Sequence, residues 1–90
     1  MTSPVALVTG GGGGIGSAVS RRLAADGMRV LVGYRASVDR ADQVVSELTG
    51  EGHRALQVPV DDSEALAAVA AAVASTEGRI DALVNCAGVT

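Results

Sequence analysis

The chain alternates short apolar runs with stretches in which apolar residues recur every three or four positions. The runs 5–8, 30–32 and 55–58 and the segment 80–85 predict four strands, and continuous apolar runs are typical of parallel strands covered on both faces. The stretches between them predict three helices. The resulting β-α-β-α-β-α-β pattern predicts an α/β fold, the first half of a doubly wound parallel sheet with strand order 3-2-1-4. We expect the first two helices on one face of this sheet and the third on the other.

Each predicted helix has an apolar face and a glycine near its end. Gly27, Gly50 or Gly52, and Gly78 are placed to end the three helices, and Pro59 stops the third strand. The residues expected to face the sheet are Ile15, Ala18, Val19 and Leu23 in the first helix, Val38, Ala41, Val44, Val45 and Leu48 in the second, and Leu66, Val69 and Val73 in the third.

Composition limits the classes of function. With 90 residues, 48% of them hydrophobic and 19% charged, the chain fits one domain over residues 1–90 and excludes a disordered tail. A net charge of −3 and the absence of Phe and Trp argue against binding nucleic acid. The longest apolar run, 65–74, is too short to cross a bilayer, and no signal peptide is expected. One cysteine excludes an internal disulfide, so we expect a cytoplasmic protein.

Five consecutive glycines, Gly10 to Gly14, follow the first predicted strand and open the first predicted helix. Gly11, Gly13 and Gly16 also satisfy the G-x-G-x-x-G spacing, in which a phosphate approaches backbone N–H groups at a helix N-terminus. A Walker-type loop is excluded because the chain has no lysine. The loop therefore predicts dinucleotide binding on a Rossmann-type sheet, and nothing in the sequence predicts a metal site.

The glycine motif Thr9-Gly10-x-x-x-Gly14-Ile15-Gly16 resembles the cofactor motif of the classical short-chain dehydrogenases/reductases. The segment from Ile80 to Gly88 resembles the Asn-Asn-Ala-Gly strand end of the same family, 3-oxoacyl-[acyl-carrier-protein] reductases among them, with Cys86 in place of the second asparagine. The cofactor-binding residues that the resemblance implies are Gly10, Gly12, Gly13, Gly14, Ile15, Gly16, Asn85, Cys86, Ala87 and Gly88.

The end of the second strand predicts which dinucleotide is bound. An acidic residue there would bind the 2′-hydroxyl of NAD(H), but the chain has Tyr34, Arg35 and Ser37, whose donors suit the 2′-phosphate of NADP(H). We therefore expect NADP(H) to be preferred over NAD(H). Tyr34 either packs beside the adenosine or covers the strand edge. The resemblance implies an acidic residue near the adenine. Counting along the chain places this position either at Asp61, which we favour, or at Pro59, and in the second case the acidic residue is missing.

Other polar residues are expected to have structural roles. Asp61 and Asp62 fit equally well as caps of the third helix. Cys86 is expected to be an inert packing residue, and His53 a solvated loop residue.

No catalytic residue is found in the 90 residues. The serine and the Tyr-x-x-x-Lys pair that the resemblance implies would follow Thr90, so we expect the N-terminal part of a longer fold. The resemblance implies hydride transfer between a nicotinamide and a small carbonyl or alcohol substrate, and a homo-oligomer at full length. The alternative is a free-standing dinucleotide-binding module without catalysis, and the sequence does not decide between a natural short protein and a truncated one.

Overall fold

The computed structural model describes residues 3–10, 13–35, 38–58 and 63–86, the last range with side chains from residue 67 onward. The described residues form, in chain order, β1 (Val5–Thr9), α1 (Gly14–Ala25), β2 (Arg29–Tyr34), α2 (Val38–Glu47), β3 (Arg54–Gln57), α3 (Ser63–Glu77) and β4 (Ala82–Asn85). Every predicted element is present, with shifts of one or two residues at several ends.

The four strands make one parallel sheet in the order β3-β2-β1-β4, as the alternating pattern predicts. β1 lies in the middle of the sheet, paired with β2 from Val5↔Arg29 onward and with β4 from Ala6↔Ala82 onward. The chain runs outward from β1 to β3 and then returns to the other side of β1. The carboxyl end of β1 therefore lies at the point where the strand order reverses, which is where open α/β sheets bind ligands.

The core has two layers, one on each face of the sheet. Val8, Val30 and Val32 pack with the buried residues of α1 and α2 on one face. Val5, Leu7 and Leu31 pack with Val58 and Val73 on the other, so α3 covers that face. The predicted distribution of the helices, two on one face and one on the other, is confirmed.

The buried face of α1 differs from the expected one. Ile15 is 53% exposed and Ala18 is also exposed, whereas Gly16, Ser20 and Ala24 are buried. These small residues recur every four positions and let the helix axis approach the sheet closely. Val19 and Leu23 lie half-buried beside them. In α2, Val38 is 41% exposed, whereas Ala41 and Val44 are buried as expected, and so is Leu48 just after the helix.

Gly27 ends α1 as predicted. Its φ of +96° lies in the left-handed region, where a glycine meets no steric penalty. The Gly27 N–H donates to the Ala24 carbonyl at 3.0 Å and the Met28 N–H to the Leu23 carbonyl at 3.1 Å. This pair of bonds is a Schellman motif, and it satisfies two carbonyl groups at the helix end.

All four strands are held at their amino ends by polar contacts, and we call this set of contacts the amino-terminal rim. Asp81 accepts a hydrogen bond from the Val5 N–H at 2.8 Å and forms an ion pair with Arg79, just before β4. Glu77, at the end of α3, pairs with Arg29 of β2 and with Arg54 of β3, the latter at 2.9 Å. The rim therefore joins the start of every strand to a neighbouring element.

His53 also belongs to this rim, and the prediction that it is a solvated loop residue is wrong. Its Nδ1 accepts a hydrogen bond from the Val30 N–H at 3.0 Å, and its Nε2 lies 2.7 Å from the Thr49 carbonyl oxygen. A neutral ring with its proton on Nε2 satisfies both contacts. Because β3 pairs with β2 only from Leu31 onward, the imidazole takes the place of a strand carbonyl for Val30.

Within the described ranges, no helix is both long enough and apolar enough to cross a lipid bilayer.

Candidate dinucleotide-binding site

The turn between β1 and α1 ends in a glycine N-cap. Gly10 has a φ of +68°, and its carbonyl accepts the Gly13 N–H at 3.1 Å. Gly13 is the N-cap of α1, and the first turn of the helix contains no acidic residue. A glycine cap has no side chain to accept the first N–H groups of the helix. These groups and the positive end of the helix dipole are therefore available to an anion.

There is open space beside Gly13 and Gly14. A Cβ added at Gly14 would have no atom within 4 Å, and one added at Gly13 would lie at an ordinary contact distance of 3.5 Å from the Gly10 oxygen. The fold itself therefore does not require glycine at positions 13 and 14. Gly33 differs, because a Cβ there would lie 3.0 Å from the Val8 oxygen and 3.1 Å from Val58 Cγ2. Packing explains Gly33, whereas open space beside a helix N-terminus is what a bound diphosphate would fill.

A hydrogen bond between side chains joins the carboxyl ends of β1 and β4. The buried Thr9 hydroxyl donates to Asn85 Oδ1 at 2.8 Å, and the Cys86 N–H donates to the Thr9 carbonyl at 3.0 Å. These bonds place Asn85 beside the glycine turn. The sequence pattern predicts no separate role for Thr9, although its position as the last strand residue before Gly10 is a signal for one.

Cys86 is half-buried and packs against the core layer shared by α1 and α2. This position agrees with the expected packing role of Cys86, whose backbone N–H is bonded to Thr9 just before the glycine turn.

At the end of β2, Tyr34 packs against the same core layer and is half-buried. Its carbonyl accepts the Val58 N–H at 2.7 Å. Arg35 is exposed, and its carbonyl accepts a hydrogen bond from Gln57 Nε2 at 3.3 Å. The contact with Gln57 holds the Arg35 backbone beside β3.

The predicted site residues that the structure describes lie together at the carboxyl ends of the strands. Gly10, Gly13, Gly14, Ile15 and Gly16 form part of the turn and the first residues of α1; beside them, Asn85 ends β4 and Cys86 follows it. On the other side, Tyr34 ends β2 and Arg35 follows it. The predicted contacts of Gly12, Ser37, Asp61, Ala87 and Gly88 lie outside the described residues, and so does the choice between Asp61 and Pro59.

A polar cleft of about 270 Å³ extends from this turn between α1 and α2. Gly13, Gly14 and Ser17 line it on the α1 side, and Arg40 and Gln43 on the α2 side. Its far end is lined by Arg21 and Glu47, which form an ion pair with each other. The cleft thus connects the glycine turn with the first turns of α2.

A parallel sheet in the order 3-2-1-4, with a glycine turn leading from its first strand into a helix, defines a Rossmann-type nucleotide-binding fold. Within this class of folds, the chain can be assigned to one protein family. Residues 4–90 match the family model of the short chain dehydrogenases, and the chain belongs to that family.

Several of the relatives are reductases. A short-chain reductase of Streptomyces niveus is 46% identical over 94% of the chain, and a 3-oxoacyl-[acyl-carrier-protein] reductase of Synechocystis is 41% identical over the whole chain. The crystal structure of a dehydrogenase/reductase from Sinorhizobium meliloti superposes on 98% of the chain with a TM-score of 0.84 and 37% identity. The chain spans 33%, 37% and 36% of these three proteins, respectively, which is about a third of their length.

Proposed function

We propose that the chain binds NADP(H) and is the cofactor-binding portion of an oxidoreductase that transfers hydride between the nicotinamide and a small carbonyl or alcohol substrate. The observation that carries this proposal is the glycine turn at the carboxyl end of the central strand, with open space beside Gly14. Family membership supports a nicotinamide cofactor, and the reductases among the relatives support hydride transfer.

The chain's own residues would bind and orient the cofactor. The first N–H groups of α1 would hold the diphosphate, since the glycines there present no Cβ. The Thr9–Asn85 hydrogen bond would keep the ends of β1 and β4 together, so that the backbone of Asn85 and Cys86 lines the cofactor. When bound, the nicotinamide supplies or accepts the hydride.

The preference for NADP(H) is argued from the end of β2. Residues 33–37 contain no carboxylate that could bind a 2′-hydroxyl or repel a 2′-phosphate. Arg35 is exposed immediately after β2, and a guanidinium presents its donors in a fork that matches phosphate oxygens. The adenosine end of the site therefore favours the phosphorylated cofactor.

The 90 residues also support a second candidate, a dinucleotide-binding module without catalysis. Reduction of a carbonyl needs a proton donor near the developing alkoxide. The chain has no lysine, and its one tyrosine, Tyr34, packs against the core at the end of β2. We therefore expect residues 1–90 alone to bind cofactor without turning over carbonyl compounds. Oxidation of NADPH above background by this chain would contradict the expectation.

The test of cofactor choice is Arg35→Asp. This change replaces a phosphate partner with a like charge, and a lost charge-assisted hydrogen bond corresponds to roughly ten- to hundredfold in affinity. We expect a loss of this size in NADPH affinity and a smaller loss in NADH affinity, measured by fluorescence titration of both reduced cofactors. Equal losses would show that Arg35 does not bind the 2′-phosphate. Failure of the unchanged protein to bind either cofactor would contradict the proposal as a whole.

A further inference from the structure

The cleft between α1 and α2 carries a charge that the proposed site has not used. Arg40 is the third residue of α2, it is exposed, and its side chain lines the cleft opposite Gly13 and Gly14. Among the described residues it has neither an ion-pair partner nor a hydrogen-bond partner. The cleft is therefore positive at the end that opens toward the glycine turn.

The other charges of the cleft neutralise one another. Arg21 and Glu47 form an ion pair at the far end, away from the turn. The Ser17 hydroxyl donates to the Gly14 carbonyl at 3.1 Å. Gln43 lies one turn after Arg40 on the same side of α2, and its side-chain amide can donate a hydrogen bond into the cleft. Two donor side chains of α2 thus face the start of α1.

The geometry points to Arg40 as a second cation for the 2′-phosphate of the dinucleotide, acting across the cleft from the glycine turn, with Gln43 as an additional donor. This role rests on the proposed function, and Arg40 and Gln43 would contribute to its cofactor preference. In a fold of this type the diphosphate lies at the N-terminus of α1, and the adenosine ribose extends from there toward the end of β2. α2 begins at Val38, shortly after β2 ends at Tyr34, so a ribose at the end of β2 would have its 2′ position near the first turn of α2.

A 2′-phosphate in this position would lie between two arginines from different elements. Arg35 approaches it from the end of β2, and Arg40 from the first turn of α2. Unlike a diphosphate contact, this arrangement affects only ligands that carry the 2′-phosphate. Arg40 would therefore raise the affinity for NADPH and leave the affinity for NADH unchanged.

The experiment compares Arg40→Gln with the unchanged chain by titration calorimetry. NADPH, NADH, 2′,5′-ADP and 5′-AMP are the four probes. Since Arg40 is exposed, we expect the variant to lose about three- to tenfold in affinity for NADPH and 2′,5′-ADP, and less than twofold for NADH and 5′-AMP. Arg40→Lys keeps the charge and is expected to retain most of the affinity. Circular dichroism checks that each variant is folded.

The matched control is Arg22→Gln, which removes the same charge from an exposed arginine near the end of α1. It is expected to leave all four affinities unchanged. Equal losses for the phosphorylated and unphosphorylated probes, no loss with Arg40→Gln, or the same loss with Arg22→Gln would each overturn the role of Arg40. An unchanged chain that binds none of the four probes would instead contradict the proposed function, and one that binds 2′,5′-ADP no better than 5′-AMP would contradict its NADP(H) preference.

Discussion

Ser20 is a residue whose environment conflicts with its chemistry. Its side chain is fully buried against the sheet, and its hydroxyl has no hydrogen-bond partner among the described residues. A buried, unsatisfied hydroxyl costs about 1–3 kcal/mol of desolvation. We expect Ser20→Ala to raise the free energy of unfolding by about 1 kcal/mol, measured by urea denaturation.

The control for Ser20→Ala is Ser46→Ala. Ser46 is exposed on α2, and its hydroxyl donates to the Gln43 carbonyl at 2.6 Å. Both changes gain the same helix propensity, but only Ser46→Ala loses a hydrogen bond, an exposed one, so we expect Ser20→Ala to stabilise the chain more than Ser46→Ala. If the two variants gain equally, the Ser20 hydroxyl has a partner in solution.

The role of a residue could be predicted from the sequence where it depends only on residues close to it in sequence. Gly27 was predicted as a helix end because the need for a left-handed residue is local. The Thr9–Asn85 and His53–Val30 hydrogen bonds could not be predicted in this way. Their partners are 76 and 23 residues apart, and only the folded sheet brings them together.

At the scale of the elements, the periodicity of α1 predicts a helix but not its buried face. The apolar stripe from Ile15 to Leu23 suggested one orientation, whereas the helix turns its small residues Gly16, Ser20 and Ala24 toward the sheet. Close packing of a helix on a parallel sheet favours small side chains at the contact, and hydrophobicity alone does not measure this. The exposed Ile15 is a consequence of this rotation.

The loop between α3 and β4 predicts how stability depends on pH. The hydrogen bond from Arg79, followed by that from the Val5 N–H, lowers the pKa of the Asp81 carboxyl. A carboxyl whose pKa is lower in the folded state adds stability above its unfolded pKa, about 3.9, and this stability is lost as the pH falls through the folded pKa. We expect Asp81→Asn to melt at a lower temperature than the unchanged chain at pH 7, with a difference that begins to shrink near pH 4 and vanishes only below the folded pKa of Asp81.

Asp42→Asn is the matched control, because Asp42 is an exposed carboxylate on α2 without a partner among the described residues. We expect Asp42→Asn to have the same melting temperature as the unchanged chain over this pH range. A melting difference for Asp81→Asn that persists unchanged from pH 7 to pH 3 would show that the carboxylate charge is not what holds β1 to β4.

At the scale of the whole molecule, β4 forms an edge of the sheet in the described part of the chain. Leu83 lies on the face that α3 covers, yet it is 47% exposed. An exposed apolar edge strand promotes association with another chain. We expect residues 1–90 to sediment as dimers or larger species, and Leu83→Lys to shift the distribution toward the monomer, since lysine on an edge strand opposes pairing.

Val38→Lys makes the same change at an exposed residue of α2, away from either edge. It is expected to leave the sedimentation profile unchanged. A clean monomer from the unchanged chain would show that the edge of β4 does not drive association. If both lysine variants shift the distribution toward the monomer equally, the added positive charge, and not its position on β4, reduces association.

The topology could be predicted more completely than any individual contact. Continuous apolar strands, alternating helices and the right-handed rule for parallel crossovers leave few arrangements, and the order 3-2-1-4 follows from placing the glycine turn at the reversal. The residues of the candidate site that end strands were located by the same reasoning. Arg40 was not, because its position in the cleft depends on how α2 lies beside α1.

The amino-terminal rim has a consequence for how such a domain can diversify. The contacts of Asp81, Glu77 and His53 secure the strands at one end of the sheet, and the glycine turn and Arg35 lie at the opposite end. Loops at that opposite end can change in length or sequence without touching those contacts. If the chain binds NADP(H) as proposed, we expect a carboxylate placed in the loop after Tyr34 to change the cofactor preference while leaving these contacts intact. The same separation would let related genes acquire new ligand preferences by changes confined to one end of the sheet.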